Sequence, residues 1–180
     1  MSVYASKRSE SKVEFLRVAQ QLAVYTLKQV KKFPKSYRFN LTNDITKLAM
    51  EIHENVLRAN SIYVHKGMTE DEFRLRAVYF TKAKSAIYAL SSLLTITFSL
   101  ALEGNNFLGD KKTTSNMFKE WARLLNYETA LIKGVVDSDK KRFKSYQKGN
   151  QIKGKISDIP TIDNEIVLPE ETFDLVESEN

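Results

Sequence analysis

The sequence predicts an all-α protein: an antiparallel up-down-up-down four-helix bundle with a disordered or extended acidic C-terminal tail. Three observations lead to this fold class. Apolar residues recur at helical spacing in four long segments, only three prolines interrupt the 180 residues, and the connections between the segments are short, which favours antiparallel neighbours. We assign residues 1–144 to the bundle and residues 145–180 to a flexible tail that is acidic from Ser157 onward.

The first two helices are separated by a proline. The first is predicted over residues 12–32 and ends at Phe33-Pro34, because proline has no amide hydrogen to donate and disfavours a helical residue before it. The second is predicted to start at a cap on Ser36 and to run to about His65, with Gly67 ending it. Its apolar stripe consists of Leu41, Ile45, Leu48, Ala49, Ile52, Val56, Ala59 and Ile62.

The third helix is predicted to start at a capping box formed by Thr69 and Glu72 and to run to about Leu102. Residues 95–98 are rich in β-branched side chains that would also suit a strand, but no strand partner is evident, so we predict helix. Residues 86–102 carry no charge and reach the lower length limit of a membrane span. Hydroxyl side chains dilute this run, so we expect a buried core helix instead of a transmembrane one.

The fourth helix is predicted to begin at a cap on Thr114 or Ser115. Its core residues are Met117, Phe118, Trp121, Leu124, Leu125, Glu128, Leu131, Ile132 and Val135. From residue 145 onward, glycines and prolines break the helical pattern, which is why the tail is placed there.

Positive and negative charges are segregated along the chain. All 28 Lys and Arg precede Ser157, whereas eight of the 22 acidic residues lie in residues 157–180. Residues 1–156 therefore carry a net charge of +14 and the tail −8, which the overall value of +6 conceals. A body of this charge is typical of polyanion binders.

Catalytic and metal-binding chemistry is poorly supported. The chain has no cysteine and two histidines, which argues against disulfides, thiolate metal sites and nucleophilic triads. We expect no enzyme activity, no cofactor and no metal. Residues 1–8 lack the apolar run of a secretory signal, so we expect a cytoplasmic protein.

The predicted topology gathers the cations at two ends, since alternate connections of an antiparallel bundle meet. Such clusters neutralise phosphates, and nearby aromatic rings can stack on unpaired bases. The aromatic candidates are Phe33, Tyr37 and Phe39, although Phe33 and Phe39 could equally be core residues. One end is predicted to bind nucleic acid through Lys31, Lys32, Lys35, Arg38, Lys111 and Lys112. The other end would use Lys140, Lys141, Arg142 and Lys144, with Lys7, Arg8, Lys12 and Lys148 nearby.

Arg58 and His65 offer a less favoured alternative. They are seven residues apart, so both could project from one face of the second helix. This spacing resembles the ribonuclease motif of HEPN domains, but Ala59 replaces the polar residue that usually follows the arginine.

Residues 31–39, Lys-Lys-Phe-Pro-Lys-Ser-Tyr-Arg-Phe, join the first two predicted helices. Together with the cap formed by Thr69 and Glu72 and with Trp121 in the closing helix, they make residues 11–143 resemble a known family. It is the four-helix-bundle family that includes accessory variability determinants of diversity-generating retroelements, to which bundle proteins encoded in ribosomal-RNA intervening sequences are similar. The residues that match position by position are Pro34, Lys35, Ser36 and Arg38.

The resemblance implies a homopentameric barrel with a positively charged surface. It also implies binding to the reverse transcriptase and template RNA of the element, in support of mutagenic reverse transcription and without an active site. We therefore expect a non-enzymatic RNA-binding accessory protein. An adaptor that only assembles protein partners is the alternative from another class. The acidic tail departs from the family pattern; it could compete with RNA for the basic body or dock on a partner.

Overall fold

A computed structural model describes residues 14–103 and 108–150, which form four α-helices and no strand. The predicted all-α class is thereby confirmed. The helices are α1 (Glu14–Gln29), α2 (Asn43–Ser61), α3 (Glu70–Glu103) and α4 (Lys111–Asn150). The predictions for Lys7, Arg8, Lys12 and the acidic tail from Ser157 lie outside the described residues.

The four helices share one apolar core. Helix α1 packs on α2 and α4, and α3 packs on the same two helices. The contacts between α1 and α4 run in opposite order along the two helices: Glu14 meets Tyr127, and Tyr25 donates a hydrogen bond to the carbonyl of Met117 at 3.0 Å. The largest side chains in the centre are fully buried, and they include Trp121, Phe80, Leu22, Ile52 and Ile132.

The connection from α1 to α2 is more irregular than predicted. Two 3₁₀ turns, Val30–Lys32 and Lys35–Tyr37, flank Pro34, and a π-helical segment, Arg38–Thr42, leads directly into α2. The predicted cap on Ser36 is wrong, because Ser36 lies inside the second 3₁₀ turn. Its place is taken by a backbone hydrogen bond from Tyr37 to the carbonyl of Pro34 at 3.0 Å.

Helix α2 ends at Ser61, earlier than the predicted His65, and Gly67 is not its terminator. The next residue, Ile62, is extended. A side chain from α3 explains this early end, since the Arg76 guanidinium donates to the carbonyls of Ala59 and Ile62, the second at 2.9 Å. The Ala59 carbonyl also accepts a backbone hydrogen bond from the Ile62 amide at 3.3 Å, so Arg76 adds to the hydrogen bonds that close the end of α2.

Helix α3 begins as predicted. The Thr69 hydroxyl accepts a hydrogen bond from the Glu72 amide at 3.2 Å, and the Glu72 carboxylate accepts one from the Thr69 amide at 2.9 Å. Residues 95–98 are helical, as predicted. Two threonines of this stretch donate their hydroxyl hydrogens to carbonyls one turn earlier: Thr95 to Ser91 and Thr97 to Leu93.

The apolar half of α3 is only partly covered. In the described part of the chain, one helix is long and apolar enough to cross a membrane, Glu70–Leu102, and 33% of its most apolar window is buried inside the protein. The run predicted to be a buried core helix therefore has a buried face and an open one. Large apolar side chains on the open face include Tyr88, Ile96 and Leu100.

Helix α4 starts earlier and ends later than predicted. Asp110, not Thr114 or Ser115, caps it, since its carboxylate accepts hydrogen bonds from the amides of Lys112 and Thr113, both at 2.9 Å. Gly109, with φ 104°, supplies the left-handed residue before this cap. The helix continues to Asn150, past the boundary predicted at residue 144.

Candidate nucleic-acid interface

Six of the predicted phosphate contacts are gathered at one end of the helices, which we call the connection end. Tyr25 is bonded to Met117, and the rings of Phe33 and Trp121 lie 6.4 Å apart, so the α1–α2 connection is held against the start of α4. This brings the first-connection cations to the same end as the first turn of α4. The connection end consists of Lys31, Lys32, Lys35, Arg38, Lys111 and Lys112, all of them exposed.

The positive charge of the connection end is not neutralised by ion pairs with side chains that the structure describes. None of its six cations forms an ion pair with another residue in the described part of the chain. The nearest acid in sequence, Asp110, is engaged in capping α4; its hydrogen bonds from Thr113 hold the pKa of its carboxyl below the usual value. The amino end of α4 adds a positive helix dipole beside Lys111 and Lys112. The surface is therefore suited to polyanions.

The three aromatic candidates of this region have different environments. Phe33 is 8% exposed and packs edge-on against Trp121, so it belongs to the core. Tyr37 is half-buried and packs against the same core. Phe39 is 77% exposed, which leaves its ring open to solvent among the cations. Phe39 is therefore the aromatic side chain that could stack on an unpaired base.

The remaining predicted contacts lie at the opposite end, on the last turns of α4. Lys141 and Lys144 are exposed, whereas Lys140 and Arg142 are half-buried. Here α4 is fixed by a stack of Phe73 and Phe143, whose ring centres are 4.2 Å apart. The structure thus places the predicted cations in two separate groups.

The geometric premise of the ribonuclease alternative is wrong. Because α2 ends at Ser61, Arg58 lies on the helix and His65 lies in the following connection, so the two do not project from one helical face. Arg58 is paired with Glu54, and the Nδ1 atom of His65 accepts a hydrogen bond from the Gly67 amide at 3.1 Å.

A buried ion pair between Arg76 and Asp139 was not predicted. The two side chains are 9% and 5% exposed, and their N and O atoms are 2.7 Å apart. Arg76 also stacks on the Phe80 ring at 5.0 Å. The sequence carried a signal for this pair, since each residue occupies a position at which the apolar stripe of its helix expects a hydrophobic side chain.

Glu128 is a second buried charge-bearing residue, and its place in the apolar stripe of α4 was already visible in the sequence. It is fully buried, and both carboxyl oxygens lack a hydrogen-bond partner among the described residues. Burial, with a smaller contribution from Glu14, raises the pKa of this carboxyl to about 8. Glu128 is therefore neutral at pH 7 and acts as a core residue.

Within residues 14–103 and 108–150 there is no group of three or more His, Asp or Glu side chains that could hold a metal ion.

Comparisons with known proteins assign the chain to no family. It matches no protein-family model, no curated protein and no solved structure.

Proposed function

We propose that this protein is a non-enzymatic, cytoplasmic RNA-binding accessory of a diversity-generating retroelement, which binds template RNA and the reverse transcriptase and supports mutagenic reverse transcription. The observation that carries the RNA-binding part is the connection end, where six exposed cations form no ion pair with any described residue and the Phe39 ring, beside Arg38 in the sequence, is open. The retroelement role draws on the resemblance of residues 31–39 to the accessory-protein family.

The chemistry of the connection end favours single-stranded or looped RNA. Lysine and arginine neutralise phosphates and release counterions, which gives salt-sensitive binding without sequence information. An exposed aromatic ring adds stacking on bases that are free of a duplex. Phe39 supplies such a ring, and the cations around it supply the phosphate contacts.

We also propose that the four helices form an up-down-up-down bundle that assembles into a homo-oligomer, a pentamer by resemblance. The opposite contact order of α1 and α4 supports the topology.

The open apolar face of α3 supports a protein partner: Tyr88 is 63% and Ile96 53% exposed. Beside Ile96, Leu48 and Leu93 line a groove of about 470 Å³ between α2 and α3. Apolar patches of this kind are typical of protein interaction sites.

The proposal is tested by filter-binding titration of labelled RNA over a range of salt concentrations. A triple charge reversal, Lys31→Glu, Lys32→Glu and Lys35→Glu, should weaken retention and lower the slope of log affinity against log salt by about two to three, since each lost phosphate contact removes about one. A matched control reverses three exposed lysines elsewhere, Lys47, Lys82 and Lys133. It changes the net charge equally and should retain most of the binding.

Equal losses from both triple variants would mean that net charge alone attracts RNA and that the connection end is not a site. The absence of salt-dependent retention would exclude direct RNA binding. The open face of α3 favours a second function in that case, an adaptor that assembles protein partners. Complexes of such an adaptor would survive the reversal of Lys31, Lys32 and Lys35 and treatment with nuclease.

A further inference from the structure

A cavity of about 360 Å³ lies where the start of α1, the α2–α3 connection and α4 meet. This volume is within the range of ligand pockets, about 300 to 1,000 Å³. Apolar side chains such as Phe15 and Leu131 form part of its wall. The polar groups that matter here come from Asn60, Tyr63, Ser138 and Arg142. The cavity lies apart from the connection end.

Gly134 is a lining residue whose identity the packing of this chain does not require. It lies in the interior of a 40-residue helix, where glycine costs about 0.5 to 1 kcal/mol relative to alanine. A Cβ atom at this position would meet no other atom within 4 Å. No neighbouring backbone or side chain therefore explains the glycine, and the space that it leaves open is part of the cavity.

Arg142 brings to the cavity a positive charge that its neighbours do not neutralise. Its guanidinium donates to the Ser138 hydroxyl at 3.2 Å and lies 3.7 Å from the Asp139 carboxylate. That carboxylate is already paired with Arg76 at 2.7 Å, so the three groups together carry a net charge of +1. The side chain of Arg142 is 38% exposed, and a guanidinium has five N–H donors. Donors remain for an anionic oxygen.

Tyr63 offers an aromatic ring at the same cavity. It is 68% exposed, so its ring is open to a ligand. His65 lies parallel to the Tyr63 ring, at 8° and 6.4 Å between centres, and supports its orientation. The amide of Asn60, another lining residue, can donate and accept hydrogen bonds at the edge of a flat heterocycle.

We propose that this cavity binds one unpaired nucleotide, with its phosphate on Arg142 and its base stacked on Tyr63. The inference rests on the proposed function and deepens it, since it assigns a second RNA contact, remote from the connection end, that holds a single splayed base. An aromatic ring, an amide and an arginine around a cavity are the groups by which proteins recognise unstacked nucleotides. A free anion would use Arg142 alone.

Isothermal titration calorimetry of the full chain tests the proposal with four probes: uridine and adenosine 5′-monophosphates, ribose 5-phosphate and inorganic phosphate. Nucleotides should bind at least about fivefold more tightly than ribose 5-phosphate or phosphate, since stacking on an aromatic ring contributes about 1–3 kcal/mol per base. Equal affinity for all four probes would reduce the cavity to an anion site and overturn the nucleotide proposal. No heat of binding at millimolar nucleotide would overturn it as well.

Two variants locate the site. Gly134→Leu adds a side chain at the exposed wall of the cavity and should weaken nucleotide binding; leucine favours helix more than glycine does, so the variant should fold. Arg142→Gln should weaken binding at least tenfold. The matched control is Arg123→Gln, an exposed arginine of the same helix paired with Glu120, which should leave affinity unchanged. Unchanged binding in Arg142→Gln would overturn the assignment even if Gly134→Leu failed to fold by circular dichroism.

The two proposals fail separately. Nucleotide binding that persists in a protein without salt-dependent RNA retention would contradict the connection end and leave the cavity intact. RNA retention that is normal in Gly134→Leu and Arg142→Gln, together with no nucleotide binding by the native chain, would contradict the cavity and leave the connection end intact.

Discussion

The cations of the connection end and the Arg76 side chain near the opposite end are in contrasting environments. At the connection end, six cations are exposed and form no ion pair with any described residue. Near the other end, Arg76 is buried, paired with Asp139 and bonded to the carbonyls of Ala59, in the last turn of α2, and of Ile62, in the α2–α3 connection. A buried cation that has all its partners holds elements together, whereas an exposed cation without partners is available to a ligand. The comparison thus distinguishes a cation that stabilises the fold from cations that are free to contact a ligand.

Removal of the buried cation is expected to have the largest effect on stability. Arg76→Met should lower the free energy of unfolding by about 3–5 kcal/mol, because the buried Asp139 carboxylate then keeps only the more distant Arg142 guanidinium, at 3.7 Å. Urea unfolding followed by circular dichroism measures this. The control is the double variant Arg76→Met with Asp139→Leu, which should recover most of the loss, since a buried ion pair can be replaced by apolar side chains. A loss below about 1 kcal/mol in the single variant would show that the pair does not hold this end together.

Between the two ends, Glu128 makes stability depend on pH. Its folded-state pKa, about 8, is above the ordinary value of 4.5. Below about pH 4 both states hold the proton; between about pH 4.5 and 8 only the folded state keeps it, so the free energy of unfolding should fall by up to about 1.4 kcal/mol per pH unit. Above about pH 8 both states have lost the proton, so Glu128 no longer makes the free energy of unfolding depend on pH.

The isosteric change Glu128→Gln should remove this dependence. The variant should match the native protein near pH 4 and exceed its stability by a few kcal/mol, on the order of 3, at pH 7. Urea unfolding at pH 4.5, 6 and 7.5 measures the difference. Glu120→Gln is the control, because Glu120 pairs with Arg123 at the surface and the pKa of its carboxyl is lowered instead. A native-to-variant difference that does not grow with pH would refute the role of Glu128.

The smallest expected change in stability is at the connection end. Replacing Lys31, Lys32 and Lys35 by alanine should leave the urea midpoint unchanged, because these side chains are exposed and make no ion pair with the rest of the described chain. The same variant should lose RNA retention in filter binding. A clear fall of the midpoint would mean that these lysines support the fold, and the contrast between the two ends would then disappear.

Much of the fold could be predicted because it depends on local pattern. Apolar spacing located the helices, and the capping box of Thr69 and Glu72 fixed the start of α3. The end of α2 could not be predicted, because the carbonyl partners come from Arg76 on another helix. The same holds for the connection after Pro34, whose 3₁₀ and π turns accompany the packing of Phe33 against Trp121.

The candidate site was predictable in its charges and not in its aromatic residues. Exposed lysines follow from composition and position, so both groups of cations were found. Phe33 and Phe39 are chemically identical and six residues apart, yet one is buried and the other is open. Their difference depends on the direction of the irregular connection, which apolar spacing does not encode. The cavity beside Gly134 is formed by three segments that are separate in the sequence, so the sequence alone could not predict it.

The length of α4 has a consequence for the size of any RNA that engages both ends. Lys111 and Arg142 belong to one uninterrupted helix, and their 31-residue separation corresponds to about 46 Å along its axis. An RNA that contacts both ends must therefore extend over at least that distance. The length of α4 thus sets a minimum size for the ligand: a shorter RNA reaches one end at a time, and a longer one can bridge both.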